Sequence, residues 1–153
     1  MLLTELLTPE RIKIPLRGAT KEELLRELVQ LVSQDDGLYD SAEVLRAVLE
    51  REAVLSTGIG NAVAIPHGKS AAVPELLMAA GHTASPVDFD ALDGRPVSLF
   101  FLLVGPESAA GPHIKALSRI ARLVRRQEVR DQLIAATTPE EFFQAMKQSE
   151  ASS

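Results

Sequence analysis

The stretch PVSLFFLLVG, residues 96–105, is the run that decides the fold. It is nearly continuous in apolar residues and too short to span a bilayer, which is the pattern of a central strand covered on both faces. Such a strand needs a layer of structure above it and another below. Upstream, NAVAI (61–65) and ELLMAAGHT (75–83) read as two further strands, and FDALDGR (89–95) carries an Asp-Gly pair suited to a tight turn before the central strand. Closer to the N-terminus, RIKIPL (11–16) alternates, with Ile12 and Ile14 on one side, and predicts a short strand.

The covering layers are predicted helices. Thr20 and Glu23 form a capping-box pattern ahead of EELLRELVQLVSQ (22–34), where Leu24, Leu25, Leu28, Leu31 and Val32 share one stripe. Gly37 ends that region. SAEVLRAVLERE (41–52) repeats the design with Val44, Leu45, Val48 and Leu49 inward, and it delivers Arg51 near its end. Downstream, GPHIKALSRIARLV (111–124), EVRDQLIAA (128–136) and TPEEFFQAMKQ (138–148) predict three more helices, the last with Thr138 as N-cap, Pro139 in the first turn and Glu141 completing a capping box. The element order is β-α-α-β-β-β-α-α-α, and the fold class is α/β, with helices on both faces of a mixed sheet. Residues 1–148 read as a single domain, and SEASS (149–153) as a frayed tail.

Bulk properties narrow the function. The 153 residues suffice to bury about two-thirds of the unfolded chain's surface. A composition 46% hydrophobic and 24% charged is that of a globular protein rather than a disordered one. The net charge of −5 argues against nucleic acid as the main partner. No cysteine is present, which removes disulfides, thiolate metal sites and a cysteine nucleophile. The N-terminus MLLTELLTPERIK lacks the basic-then-apolar order of a secretory signal, so the chain reads as cytoplasmic.

One motif invites chemistry. In STGIGNAVAIPHGK (56–69), Gly58 and Gly60 permit positive φ and bring amide N–H groups together, as an anion site requires. Pro66 restrains Ile65 to an extended conformation and fixes the approach to His67. Imidazole is both neutral and nucleophilic near neutral pH, which suits it to accept and return a phosphoryl group. Ser56 and Thr57 add hydroxyls, and Arg51 adds a forked cation matched to phosphate oxygens. By spacing alone, a glycine turn, an edge strand and a buried histidine bonded to a carbonyl would give the same pattern. A second histidine, His113, falls in the first turn of a predicted helix, in line with Leu117, Ile120 and Val124 and beside free helix N–H groups; a simple capping role is the alternative. His82 ends a strand without a companion motif and reads as structural or surface. Arg119, Arg122, Arg126 and Arg130 form a basic stripe, for which a solvated face is the default and docking of an acidic partner the sharper option. The histidine spacings do not suit a metal, and neither GxxxxGK[ST] nor a complete GxGxxG is present.

RExxLSTGIGNAVAIPHGK, from Arg51 to Lys69, resembles the active-site signature of the fructose/mannitol-type (type 2) enzyme IIA of the bacterial phosphoenolpyruvate-dependent phosphotransferase system, a signature shared by the nitrogen-regulatory branch. LLTPERIKIPLRGATKEELLRELV, FDALDGRPVSLFFLLVGP and GPHIKALSRIARLV resemble further segments of the family in the expected order. Ala62 stands where a glycine is common, and Leu55 where glycine is frequent.

The resemblance implies a three-layer α/β/α sandwich with a central mixed sheet, and a phosphotransferase acting through a phosphohistidine. His67 would be the phosphorylated nucleophile, His113 and Arg51 its catalytic companions, and Ser56, Thr57, Gly58, Gly60 and Asn61 the phosphate pocket. The donor would be an HPr-type phosphocarrier. The acceptor would be an enzyme IIB in sugar uptake, or, in the nitrogen-regulatory alternative, partner proteins controlled by the phosphorylation state without any sugar being moved. No metal or cofactor is implied, since the phosphoryl group comes ultimately from phosphoenolpyruvate. The chain would be peripheral to a membrane transporter at most.

Overall fold

A computed structural model describes residues 1–33 and 40–152, so the predicted end of the first helical region at Gly37 lies outside the described residues. The sheet grows outward from the predicted central strand, β6 (Val97–Gly105), every residue of which is buried. On one side β6 pairs antiparallel with β5 (Leu77–Val87), which in turn pairs parallel with β1 (Ile12–Leu16). On its other side, β3 (Val63–Ala64) and then β4 (His67–Lys69) run parallel to it in succession, and β2 (Gly58–Gly60) pairs antiparallel with β3. The sheet is therefore mixed, in the order β1-β5-β6-β3-β2 with β4 beside β6.

Alternation along β6 feeds two cores. Leu99, Phe101 and Leu103 point to one face, where they meet α4 (Ala110–Val124), α5 (Gln127–Ala135), α6 (Pro139–Ala151) and the short N-terminal α1 (Leu3–Leu6) through Ile120, Leu133, Phe142 and Leu3. Phe100, Leu102 and Val104 point to the other, against α2 (Lys21–Ser33) and α3 (Ser41–Val54) through Leu24, Leu28, Val44 and Val48. Each of these side chains stabilises the fold by about 1.5–3 kcal/mol relative to exposure. The result is the expected three-layer α/β/α sandwich.

The helix starts are set as the sequence suggests. Thr20 Oγ1 accepts from the Glu23 N–H at 3.2 Å and Thr138 Oγ1 from the Glu141 N–H at 3.1 Å. The two glutamates reach one residue further back than a standard box, to the N–H of Ala19 and of Thr137.

Two expectations change. The predicted strand 61–65 shortens to β3, and a further strand, β4, follows beyond Pro66, which has no N–H for the ladder; only its carbonyl is used, accepting from Leu103 N–H at 3.0 Å. The tail does not fray at residue 149. α6 continues to Ala151, and Glu150 is buried because its carboxylate accepts the N–H groups of Leu3 and Thr4 at 2.6 and 3.0 Å and pairs with Arg119 at 3.1 Å.

Candidate functional site

β4 and β6 run in the same direction, and His67 lies opposite Leu103 near the C-terminal end of β6. From there the chain turns through Pro106 and a single 3-10 turn (Glu107–Ala109) into α4, whose fourth residue is His113. This return brings the two imidazoles together, edge to face with ring centroids 5.5 Å apart. The site thus sits outside the carboxyl ends of parallel strands, the usual place for a ligand in an α/β sheet. α3 closes it from the opposite face. Gly68 lets β4 approach that helix so closely that a β-carbon there would lie 3.1 Å from the Val48 nitrogen, and the last turn of α3 carries Arg51.

The hydrogen bonds of His67 determine which of its nitrogens can react. Its Nδ1 lies 2.9 Å from the Ile65 carbonyl, which can only accept, so Nδ1 carries the proton and Nε2 keeps its lone pair. Burial pushes the His67 pKa below the ordinary imidazole value; the Ile65 carbonyl opposes this, the Arg51 charge reinforces it, Glu52 opposes it and Lys69 reinforces it. The ring is therefore neutral at pH 7. His113 is only 2% exposed, and among the described residues neither of its ring nitrogens has a hydrogen-bond partner. Burial first, then the fields of His67 and Lys69, lower its pKa to about 4. A buried imidazole with unmet hydrogen-bonding capacity beside the half-buried His67 has the capacity to bond a group placed between them.

Arg51 donates one hydrogen bond to the Leu55 carbonyl at 2.9 Å, leaving its other N–H groups for an anion. Lys69, two residues beyond His67, pairs loosely with Glu107 at 3.8 Å and adds a second cation that the motif reading did not assign.

The predicted phosphate pocket is only partly assembled. Gly58, Gly60, Asn61 and Ala62 form a β-hairpin, with Gly60 opposite Val63 and positive φ at Gly60 (97°), Asn61 (57°) and Ala62 (63°). Two successive positive-φ residues at the tip are what a two-residue hairpin needs. The tip lies beside Ser98 and Leu99, whose N–H groups donate to the Ala62 carbonyl, whereas His67 lies beside Leu103. Four strand residues separate those levels, about 13 Å. Gly60 and Asn61 are thus remote from His67. Gly58 serves close packing, since a β-carbon there would lie 2.7 Å from that of Ala91. Thr57 is buried with its hydroxyl donating to Glu52 at 2.5 Å, and the Ser56 hydroxyl donates to the Phe89 carbonyl at 3.1 Å, so both hydroxyls brace the loop.

The remaining candidates are accounted for elsewhere. His82 is buried, with Nε2 2.8 Å from the Ala136 carbonyl, and ties β5 to the end of α5. In the basic stripe, Arg119 pairs with Glu150 and Arg130 donates to the Val124 and Arg125 carbonyls at the end of α4. The motif reading gave no role to Glu52, a buried carboxylate held by Lys21 at 2.7 Å. Its signal was present in α3, where Val44, Val48 and Glu52 recur every fourth residue on one buried stripe. Among the described residues no helix is long and apolar enough to cross a membrane.

The sequence profile of the family "Phosphoenolpyruvate-dependent sugar phosphotransferase system, EIIA 2" matches residues 5–149. A nitrogen regulatory protein of Pseudomonas aeruginosa is 38% identical over 142 residues, which cover 93% of this chain and 92% of that protein. The fructose-specific EIIABC component of Bacillus subtilis is 37% identical over 148 residues, 97% of this chain but 23% of that protein. The crystal structure of the nitrogen regulatory protein IIA-Ntr from Neisseria meningitidis superposes with a TM-score of 0.86 at 34% identity, covering 94% of this chain and 98% of that one. With the profile matched over almost its whole length, the chain belongs to the EIIA 2 family of the phosphoenolpyruvate-dependent sugar phosphotransferase system.

Proposed function

We propose that the chain is a phosphocarrier of the nitrogen-regulatory branch, accepting a phosphoryl group on Nε2 of His67 and controlling partner proteins through its phosphorylation state. The observation that carries this reading is the bond from His67 Nδ1 to the Ile65 carbonyl, which leaves Nε2 as the nucleophile. The donor is the phosphohistidine of an HPr-type protein. Nε2 attacks phosphorus in line, a new N–P bond forms, and the donor's N–P bond breaks with its electron pair returning to the donor ring. The phosphorylated His67 retains its Nδ1 proton on the Ile65 carbonyl, so no proton has to move during transfer. Arg51 balances charge on the phosphoryl oxygens, and the buried His113 turns a ring N–H toward them. No metal or cofactor takes part in this scheme.

The branch assignment is supported by the nitrogen regulatory proteins of P. aeruginosa and N. meningitidis, each matched over nearly its full length. The fructose-specific relative supports a second reading, in which the group passes on to the cysteine of an enzyme IIB during sugar uptake. Incubation with phosphoenolpyruvate, enzyme I and HPr tests the common step. Acid-labile phosphate is expected on the wild type and not on His67→Ala; an unlabelled wild type, or equal labelling of the variant, refutes it. Adding a fructose-type enzyme IIB to the labelled protein then separates the branches, because rapid transfer of label to IIB favours the sugar reading and retention favours the regulatory one.

A further inference from the structure

We propose that Glu52 is a positioning residue for His67: its buried carboxylate holds Thr57, and Thr57 holds Ile65, whose carbonyl fixes the tautomer of the ring. This rests on the reading of His67 as the phosphoryl carrier. The connection is a continuous series of hydrogen bonds. Glu52 Oε2 accepts the Thr57 N–H at 2.9 Å and Oε1 accepts the Thr57 hydroxyl at 2.5 Å. The Thr57 carbonyl accepts the Ile65 N–H at 2.9 Å, and the Ile65 carbonyl accepts His67 Nδ1–H at 2.9 Å.

The middle links lie outside the regular strand pairing. β3 ends at Ala64 and β4 begins at His67, so Ile65 lies outside the strand ladder, and its N–H is satisfied by Thr57. Thr57 precedes β2 and is held in turn by Glu52 from the last turn of α3. The bonds enter and leave Thr57 on different peptide groups, so the coupling is positional rather than electronic. Three donors converge on the carboxylate, since Lys21 Nζ also lies 2.7 Å from Oε2. That demand explains the residue type. A glutamine would present one acceptor oxygen and an NH₂ group facing a donor, and an aspartate would fall short by one methylene. Lys21 is itself seated over the Phe89 ring, 4.9 Å from its centroid, and the Phe89 carbonyl accepts the Ser56 hydroxyl, so Phe89 links the anchor to the loop a second time. Arg51, the neighbour of Glu52 on α3, bonds the Leu55 carbonyl of the same loop, and the two side chains brace residues 55–57 from adjacent positions. The arrangement has the logic of an outer partner that orients a reactive histidine through an intermediary.

The test is ¹⁵N NMR of the imidazole nitrogens in the full chain, with phosphoryl uptake from phospho-HPr measured in parallel. The wild type should show a protonated Nδ1 and a bare Nε2 at His67. In Glu52→Gln the ring should move toward the tautomer protonated on Nε2, and uptake should slow roughly 10- to 100-fold, as expected for displaced reacting atoms. Thr57→Val loses the hydroxyl bond and keeps the amide bond, so it should shift the ring in the same direction by a smaller amount. Wild-type ring signals in both folded variants overturn the proposal, and so does a shifted ring with an unchanged rate. If Glu52→Gln does not fold, Thr57→Val decides alone. The ring signals do not depend on transfer, so a wild type that HPr fails to label would refute the function without touching the tautomer result.

Discussion

Residues 58–62 and 65–69 belong to one uninterrupted motif, yet the fold gives them different work. The first segment is conformational: Gly60, Asn61 and Ala62 occupy positive φ and turn the chain from β2 into β3. The second surrounds the candidate histidine: the Ile65 carbonyl bonds His67, Pro66 opens the ladder, Gly68 admits α3, and Lys69 adds charge. A glycine-rich run next to a candidate histidine can therefore serve a turn rather than the site beside it. What separates the two is their level along β6, where the hairpin tip meets Leu99 and the histidine meets Leu103.

Substitutions in the two segments should separate transfer from stability. The largest effect is expected for His67→Ala, which should abolish acid-labile phosphorylation while leaving the thermal midpoint near that of the wild type. Arg51→Ala should slow uptake roughly 100-fold, the usual loss when a charge-stabilising donor is removed, as measured by rapid-quench labelling. In the conformational segment the result reverses. Gly60→Val forces a branched side chain to φ 97° and should cost about 1–3 kcal/mol in urea unfolding, with the uptake rate per folded molecule unchanged. Slower uptake in folded Gly60→Val would bring the hairpin back into the site.

How much of this was legible beforehand follows from the kind of signal involved. β6 and the covering helices were readable because continuous burial and helical periodicity are local properties of the chain. The motif resemblance singled out His67, Arg51 and His113, and the fold brings the two histidines within 5.5 Å between ring centroids. The position of Gly60 and Asn61 was not readable, because residue spacing does not reveal the strand level at which a hairpin tip comes to rest. Glu52 and Glu150 were left without a role for another reason. Each lies on an otherwise apolar stripe, after Val44 and Val48 or after Phe142 and Met146, and a buried acid there signals partners beyond its own helix, which proved to be Lys21 and Thr57 or Leu3, Thr4 and Arg119.

Two smaller effects sharpen the contrast. The His113 pKa is lowered from 6.5 to about 4 in the folded chain. The unfolded state therefore takes up a proton first as pH falls, so the contribution of neutral His113 to stability is complete above about 6.5 and lost progressively toward 4. Thermal midpoints over that interval should fall more steeply in the wild type than in His113→Gln. The smallest effect concerns Ala62, which stands at φ 63°. Ala62→Gly relieves left-handed strain but adds freedom to the unfolded chain, for a net gain of about 0.5 kcal/mol, with uptake unchanged.

The central claim is that Nε2 of His67 takes the phosphoryl group while Nδ1 stays protonated on the Ile65 carbonyl. Combined ³¹P and ¹⁵N NMR of the protein phosphorylated through HPr tests it most directly. Phosphorus coupled to Nε2 with a protonated Nδ1 is the predicted result; phosphorus on Nδ1, or on any residue other than His67, would contradict the account.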